Sequence, residues 1–316
     1  MTMNVIRSLT TLCALAGAVC LASCSSDEEV NVSNDGRVLF TAGIGNQAVA
    51  ATPATRASGS AWASGDAIGI FMVGHGTVDV EAGNKKFITL GGNGTFTPVA
   101  GNEIYYPMDN IKVDFIAYYP YKENVSFDAD LPVTIATDQT ATDAQPGCDL
   151  MWAKADKNGN GYTKDADATT PVALTFGHCL AKLRMNCTVD VSVGVTLDAA
   201  TVTISGMNTV NTFDLTTGTL GTPETETDIT PRKLATPTAN FAATYDAIIL
   251  PGNYGSNKLS VTFKINGEDF IWQVAAIEFE PGKEYIYEVI IKRTGVSATG
   301  TITPWGPVDK GQVNAE

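Results

Sequence analysis

The chain holds only two histidines in 316 residues. His75 lies in the turn-like tripeptide Gly74-His75-Gly76, and His178 lies in Phe176-Gly177-His178-Cys179-Leu180. A Cys–His pair becomes a nucleophile when the imidazole reaches the sulfur. Neighbours along a strand point to opposite faces, so His178 and Cys179 do not pair with each other in that way. The sequence contains no Gly-x-Ser-x-Gly elbow, no His-Glu-x-x-His and no Gly-rich phosphate loop. These residues predict structural or capping histidines in a protein that is not an enzyme and uses no cofactor. The 34 acidic residues offer many carboxylate pairs, which sequence does not rank.

One segment has the spacing of a metal loop. Asp156-Lys157-Asn158-Gly159-Asn160-Gly161 supplies oxygen donors at positions one, three and five and a glycine at six, with Asp167 at position twelve. Lys164 at the ninth place and Asp rather than Glu at the twelfth depart from that pattern. A polar hairpin tip has the same composition, because Asn and Gly are what tight turns need. Two readings stand: a weak calcium-loop candidate at Asp156, Asn158, Asn160 and Asp167, and a plain turn. Beyond the N-terminal segment, the cysteines are Cys148, Cys179 and Cys187. Cys179 and Cys187 would lie ~26 Å apart in an extended run, too far to bridge. They read as buried free thiols, with a disulfide to Cys148 left open, and their spacing matches no zinc site.

The N-terminus carries a different chemistry. Arg7 is followed by an apolar or small run from Leu9 to Ala22, of signal-peptide length and short for a membrane span. The run ends Leu21-Ala22-Ser23-Cys24, which resembles a bacterial lipobox. Its chemistry would be cleavage before Cys24, a thioether to diacylglycerol on the thiol and a further acyl chain, such as palmitate, on the freed amine. Several chains are needed, since one gives only marginal membrane binding. The polar tract Ser25-Ser26-Asp27-Glu28-Glu29 reads either as an export tag to the outer face of the outer membrane or as a solvated tether. The net charge of −14 leaves no basic patch for nucleic acid.

The elements that would carry these groups are strands. Short β-branched and aromatic runs recur every 10 to 20 residues between Gly, Pro, Asn and Asp, the pattern of an all-β sandwich. Expected strands include Val38–Ala42, Ala67–Val73, Lys86–Leu90, Glu103–Tyr106, Val113–Tyr119, Leu131–Ala136 and Leu150–Ala153. In Leu180–Val189, Ala181, Leu183, Met185 and Cys187 share one face. Asn266-Gly267 predicts a tight hairpin. Tyr285, Tyr287, Val289 and Ile291 line one side of the strand Tyr285–Lys292, and Thr299–Trp305 closes the ordered chain. The polar stretch Asp156–Thr170 suggests a boundary just after it. The division is then residues 1–23 signal peptide, 24–36 acidic tether, 37–172 first sandwich and 173–316 second sandwich. Thr52–Ser60, with Arg56 as its sole Lys or Arg, reads as a linker or as a protease-sensitive loop cut between Arg56 and Ala57.

The order of these pieces resembles the fimbrillin family of type V pilins. The carriers are the lipobox, Arg37–Ala42, Thr55-Arg56-Ala57, Trp62–Ile70, Phe115–Tyr121, Phe176–Leu183, Pro281–Tyr287 and Ile302–Trp305. The resemblance implies two tandem transthyretin-like antiparallel β-sandwiches behind a lipoprotein signal. It also implies an assembly route. A protease cuts after Arg56, the first strand (Val38, Leu39, Phe40, Thr41, Ala42) is released, and the C-terminal strand of another subunit fills the vacated groove. The donor would lie around Thr301, Ile302, Thr303, Pro304 and Trp305. Its partners would be other pilin subunits, the outer membrane through lipid, and a host or bacterial surface ligand in adhesion. The short run after Trp305 suits a stalk or anchor subunit better than a tip. The alternative is an outer-membrane lipoprotein acting as anchor or glycan-binding module, for which Tyr105, Tyr106, Tyr118, Tyr119 and Tyr121 are the aromatic cluster.

Overall fold

The computed structural model describes residues 35–45, 61–191, 193–194, 196–293 and 295–305. Cys24, Arg56, Ala57 and the calls on the signal segment lie outside the described residues. Apart from two short helices, the described chain is strand and turn, and the fold is all-β.

The first module opens with β1 (Phe40–Ile44), β2 (Ala67–Gly74), β3 (Val80–Ile88), β4 (Thr95–Pro98) and β5 (Val113–Tyr119). The chain then leaves it through β6 (Leu131–Thr134) and α1 (Ala144–Cys148). It returns with β7 (Met151–Ala155), α2 (Lys164–Asp167) and β8 (Val172–His178). Strands β1-β4-β3-β2-β5-β7-β8 close into a barrel in that order. Six of its pairings are antiparallel, and β1 with β8 is parallel. Among the described residues, closure leaves no free edge in this module. Alternation fills the interior: Phe40, Ala42 and Ile44 from β1, Ile68, Ile70 and Met72 from β2, and Val172, Leu174 and Phe176 from β8 form one core.

The second module runs through β9 (Ala181–Val189), β10 (Thr201–Ser205), β11 (Asn208–Asp214), β12 (Thr219–Leu220), β13 (Glu224–Glu226), β14 (Arg232–Lys233) and β15 (Ala243–Ile249). It continues with β16 (Gly252–Tyr254), β17 (Ser260–Ile265), β18 (Glu268–Gln273), β19 (Ile277–Phe279), β20 (Lys283–Lys292) and β21 (Gly295–Pro304). The main sheet has the order β14-β15-β9-β20-β21, and the sheet β10-β17-β18 shares its core. Tyr245 meets Phe263 edge-on between them. The hairpin at Asn266-Gly267 forms with both residues at positive φ, 50° and 85°, pairing Ile265 with Glu268. The expected face of β9 is buried as drawn, at Ala181, Leu183, Met185 and Cys187.

Three features depart from the local pattern. The pairing is not wholly antiparallel, since β9 also lies parallel to β20. The expected strand Glu103–Tyr106 is reduced to a single bridge between Tyr105 and Arg37. The expected division at 172/173 falls on the first residue of β8, which the barrel needs through His178. The excursion before β7 instead packs with the second module: β6 pairs with β11, and Phe127, Leu131, Val133 and Ile135 enter its core. β2 and β5 are buried on both faces for the same reason. Phe71, Val73, Ile116 and Tyr118 point away from the barrel interior into the second core.

Polar groups stitch the excursion to β15. The Gln139 side chain behaves like a strand residue, donating to the Ile248 carbonyl at 2.7 Å and accepting its N–H at 2.8 Å. Asp246 receives Arg232 Nε at 3.0 Å, Arg232 Nη2 at 2.8 Å and Gln145 Nε2 at 2.9 Å, with Lys182 Nζ at 3.4 Å. Burial alone would raise the Asp246 carboxyl. The Arg232 hydrogen bonds and the Lys182 charge outweigh burial and hold the group below the ordinary carboxylate value.

Candidate functional site

The groove that holds β1 is the most fully built feature of the first module. Val38, Phe40, Ala42 and Ile44 all point inward and are buried. Phe40 is gripped by Phe87 and Phe115, each edge-on with ring centroids 5.1 Å away. Trp62 lies across the strand, packed edge-on against Phe96, Tyr119 and Phe176. Its indole Nε1 donates to the Ala42 carbonyl at 2.8 Å. The backbone is held from both sides: Val38 N–H to Ile104 O at 2.8 Å, Ala42 N–H to Gly94 O at 2.7 Å, and Val172 N–H to Leu39 O at 2.8 Å. The strand begins two residues later than Val38–Ala42 and ends two later. Of the five predicted residues, Val38, Phe40 and Ala42 are core, Thr41 is half-buried, and Leu39 faces out at 45% exposure.

β21 is seated very differently. It is an edge strand of the main sheet, and its ladder partner is β20, from Lys283↔Pro304 to Lys292↔Gly295. Val296, Ala298, Gly300 and Ile302 stand opposite Ile291, Val289, Tyr287 and Tyr285, so they share the core-side face. They are poorly covered there. Val296 and Ala298 are half-buried, and Ile302 is 57% exposed. Gly300 is required beneath Tyr287, whose ring would lie 2.7 Å from an added Cβ. Of the donor candidates, Thr301 and Pro304 are exposed and Thr303 half-buried.

Trp305 is the exception. It is buried and stacks on His178, with centroids 3.9 Å apart and planes within 5°. His178 Nδ1 bonds Asp149 Oδ1 at 2.9 Å, and the backbone N–H of Trp305 donates to the Gly282 carbonyl at 2.8 Å. The histidine expected to be structural is thus the platform that fixes the end of the last strand. Neither this role nor that of Trp62 is legible from local pattern. For Trp62 the available signal is general: a buried indole N–H calls for an acceptor. The Trp305 indole N–H is buried without one among the described residues, so its place on His178 carries no such signal.

The remaining candidates do not converge. In the Asp156–Asp167 loop, the Asp167 carboxylate takes Lys157 Nζ at 2.5 Å and the Thr163 N–H at 2.8 Å. Asp156 Oδ1 accepts the Gly159 N–H, and Asn160 Nδ2 donates to the Lys157 carbonyl. A lysine cation thus occupies Asp167, and the loop's other groups close a turn. Among the described residues no cluster of three or more His, Cys, Asp or Glu side chains is arranged to hold a metal. His75 bonds Asp114 at 2.9 Å. Cys148, Cys179 and Cys187 are free thiols. Burial pushes Cys148 up to about 11 and Cys187 up to about 12, and raises Cys179 further, so none is a ready nucleophile. Of the tyrosine cluster, Tyr106, Tyr118 and Tyr119 are buried and Tyr121 lies under Lys86, leaving Tyr105 outward.

Residues 55–305 match the model of the fimbrillin-like family. The chain belongs to that family. It is also similar to a Bacteroides uniformis protein named as a candidate fimbrium subunit, Fim1C. The two are 32% identical over 313 residues, covering 95% of this chain and 96% of that protein. Among solved structures, a candidate cell adhesion protein from Bacteroides uniformis aligns with TM-score 0.65 and 29% identity, over 86% of this chain and 100% of its own. One from Bacteroides ovatus shares the fold with TM-score 0.66 at 21% identity, over 86% and 99%.

Proposed function

We propose that this chain is a structural subunit of cell-surface fimbriae, assembled by exchange of its first strand and supporting adhesion. In this reading the two modules are tandem transthyretin-like units on a lipoprotein, with residues 1–23 as signal peptide, 24–36 as tether and acylated Cys24 at the outer membrane. A protease cuts between Arg56 and Ala57, β1 leaves, and a tail strand of another subunit takes its place.

One observation carries this: Val38, Phe40, Ala42 and Ile44 fill the barrel core between β4 and β8. Removal of β1 would expose those apolar pits and two rows of unpaired backbone groups, a template for another strand. While β1 is in place, the closed barrel offers no groove to a tail strand. β21 suits the donor role, because it is an edge strand with alternating apolar residues that its own module covers poorly. Mass spectrometry of material sheared from the cell surface tests this. Polymers whose subunits begin at Ala57 are expected. Polymers of uncut chains would overturn the exchange, and a monomer retaining acylated Cys24 would leave a membrane anchor.

A further inference from the structure

The groove that β1 fills is selective in shape. Its four inner places hold Val38, Phe40, Ala42 and Ile44 in order, an aliphatic, an aromatic, a small and an aliphatic side chain. The second place is the demanding one, because Phe87 and Phe115 close on the Phe40 ring from two sides. The third is narrow by residue type: alanine stands beside the Trp62 indole that bonds its carbonyl.

β21 offers Val296, Ala298, Gly300 and Ile302 on its apolar face. Running in the direction of β1, it matches the first, third and fourth places and sets Ala298 in the aromatic one. Running the opposite way, it sets Gly300 there. The aromatic of this segment, Trp305, alternates with Thr303 and Thr301. A register that seats Trp305 between Phe87 and Phe115 therefore brings the Thr303 hydroxyl to a neighbouring apolar place in either direction, and Thr301 as well in the reverse one, at a desolvation cost.

We propose that the strand replacing β1 comes from a different protein and carries an aromatic side chain at the place of Phe40, and that the β21 of a second copy of this chain is a poor occupant. This rests on the release of β1 proposed above. It makes the chain an acceptor in a mixed polymer.

The test uses full-length chain nicked after Arg56 and fluorescent peptides, with capture read by polarisation. The peptide of residues 37–44 is expected to be captured. Its Phe40→Ala form and the peptide of residues 295–304 are expected to bind at least about a hundredfold more weakly, the cost of an unfilled aromatic site. Ala298→Phe or Gly300→Phe in the tail peptide, according to its direction, is expected to recover at least about tenfold. Equal capture of the tail and first-strand peptides overturns the proposal, as does failure of both ring-bearing tails to gain. If the 37–44 peptide itself is not captured, the exchange of β1 fails, and the specificity falls with it.

Discussion

The indole N–H of Trp62 donates to the carbonyl of Ala42 across 2.8 Å in the barrel core. These residues flank the segment that contains Arg56, so a cut there leaves the strand and its clamp on different pieces, joined by packing and hydrogen bonds alone. Any strand that occupies the groove must present a carbonyl at that point. Trp62→Phe keeps an aromatic ring but leaves the Ala42 oxygen without its indole donor. The expected loss is about 1–3 kcal/mol. Hydrogen exchange checks it: the Ala42 amide, bonded to Gly94 O, should exchange faster, while amides of β15 change only as global stability does.

Phe40→Ala tests how much the first strand contributes to the intact chain. The ring is almost fully buried, and its neighbours Phe87 and Phe115 are themselves core. An expected loss of about 3–5 kcal/mol follows from the transfer and cavity costs of an aromatic deletion. Leu39→Ala, on the outward face of the same strand, should change stability by less than about 1 kcal/mol. Urea unfolding of the two variants separates a core strand from one lying on the surface. Equal, small effects would remove the basis for treating β1 as a plug.

Period-2 alternation made β1, β9 and β20 readable, because each has one face on a core and side-chain direction follows sequence parity. The Asn266-Gly267 hairpin was readable because positive φ at both positions favours those residues. Alternation could not tell that Lys182 and Asn186, on the other face of β9, are also buried. Their burial depends on Asp246 and Thr244 across the sheet. Pairing partners were hidden for a similar reason. The local pattern of β6 says strand, but not that β11, far along the chain, receives it. At the site, the inward residues of β1 were legible, while the Trp62 clamp and the Asp149–His178–Trp305 stack join residues whose proximity only the fold creates.

The last strand should be held at one end. Trp305 is 7% exposed and lies flat on His178, whereas Ile302, three residues earlier, is mostly in solvent. Trp305→Ala is expected to cost about 3 kcal/mol, at the low end for a large aromatic because the site lies near the surface. Ile302→Ala should cost less than about 1 kcal/mol. Thermal unfolding gives the order, and protease sensitivity of residues 295–305 gives the location. If β21 is a strand kept ready for transfer, Trp305→Ala should raise nicking within it before the rest of the chain responds.

Asp246 gives the fold a defined acid sensitivity. Its carboxyl is held below the ordinary value by Arg232 and Lys182 despite burial. A carboxylate whose folded pKa is depressed contributes its full stabilisation above its unfolded pKa, about 3.9, and loses it as pH falls through the lower folded value. Asp246→Asn keeps the shape but leaves the Lys182 and Arg232 cations beside a neutral amide. Breaking such a buried pair by removing one charge costs about 3 kcal/mol. The expected deficit is therefore full at pH 7, constant down to about pH 4, and shrinking below it as the parent's own carboxyl takes up a proton. Urea titrations of parent and variant from pH 7 downward would show it. A deficit that does not shrink at all as pH falls below about 4 would mean that the charge at Asp246 is not what joins β15 to Gln145, Lys182 and Arg232.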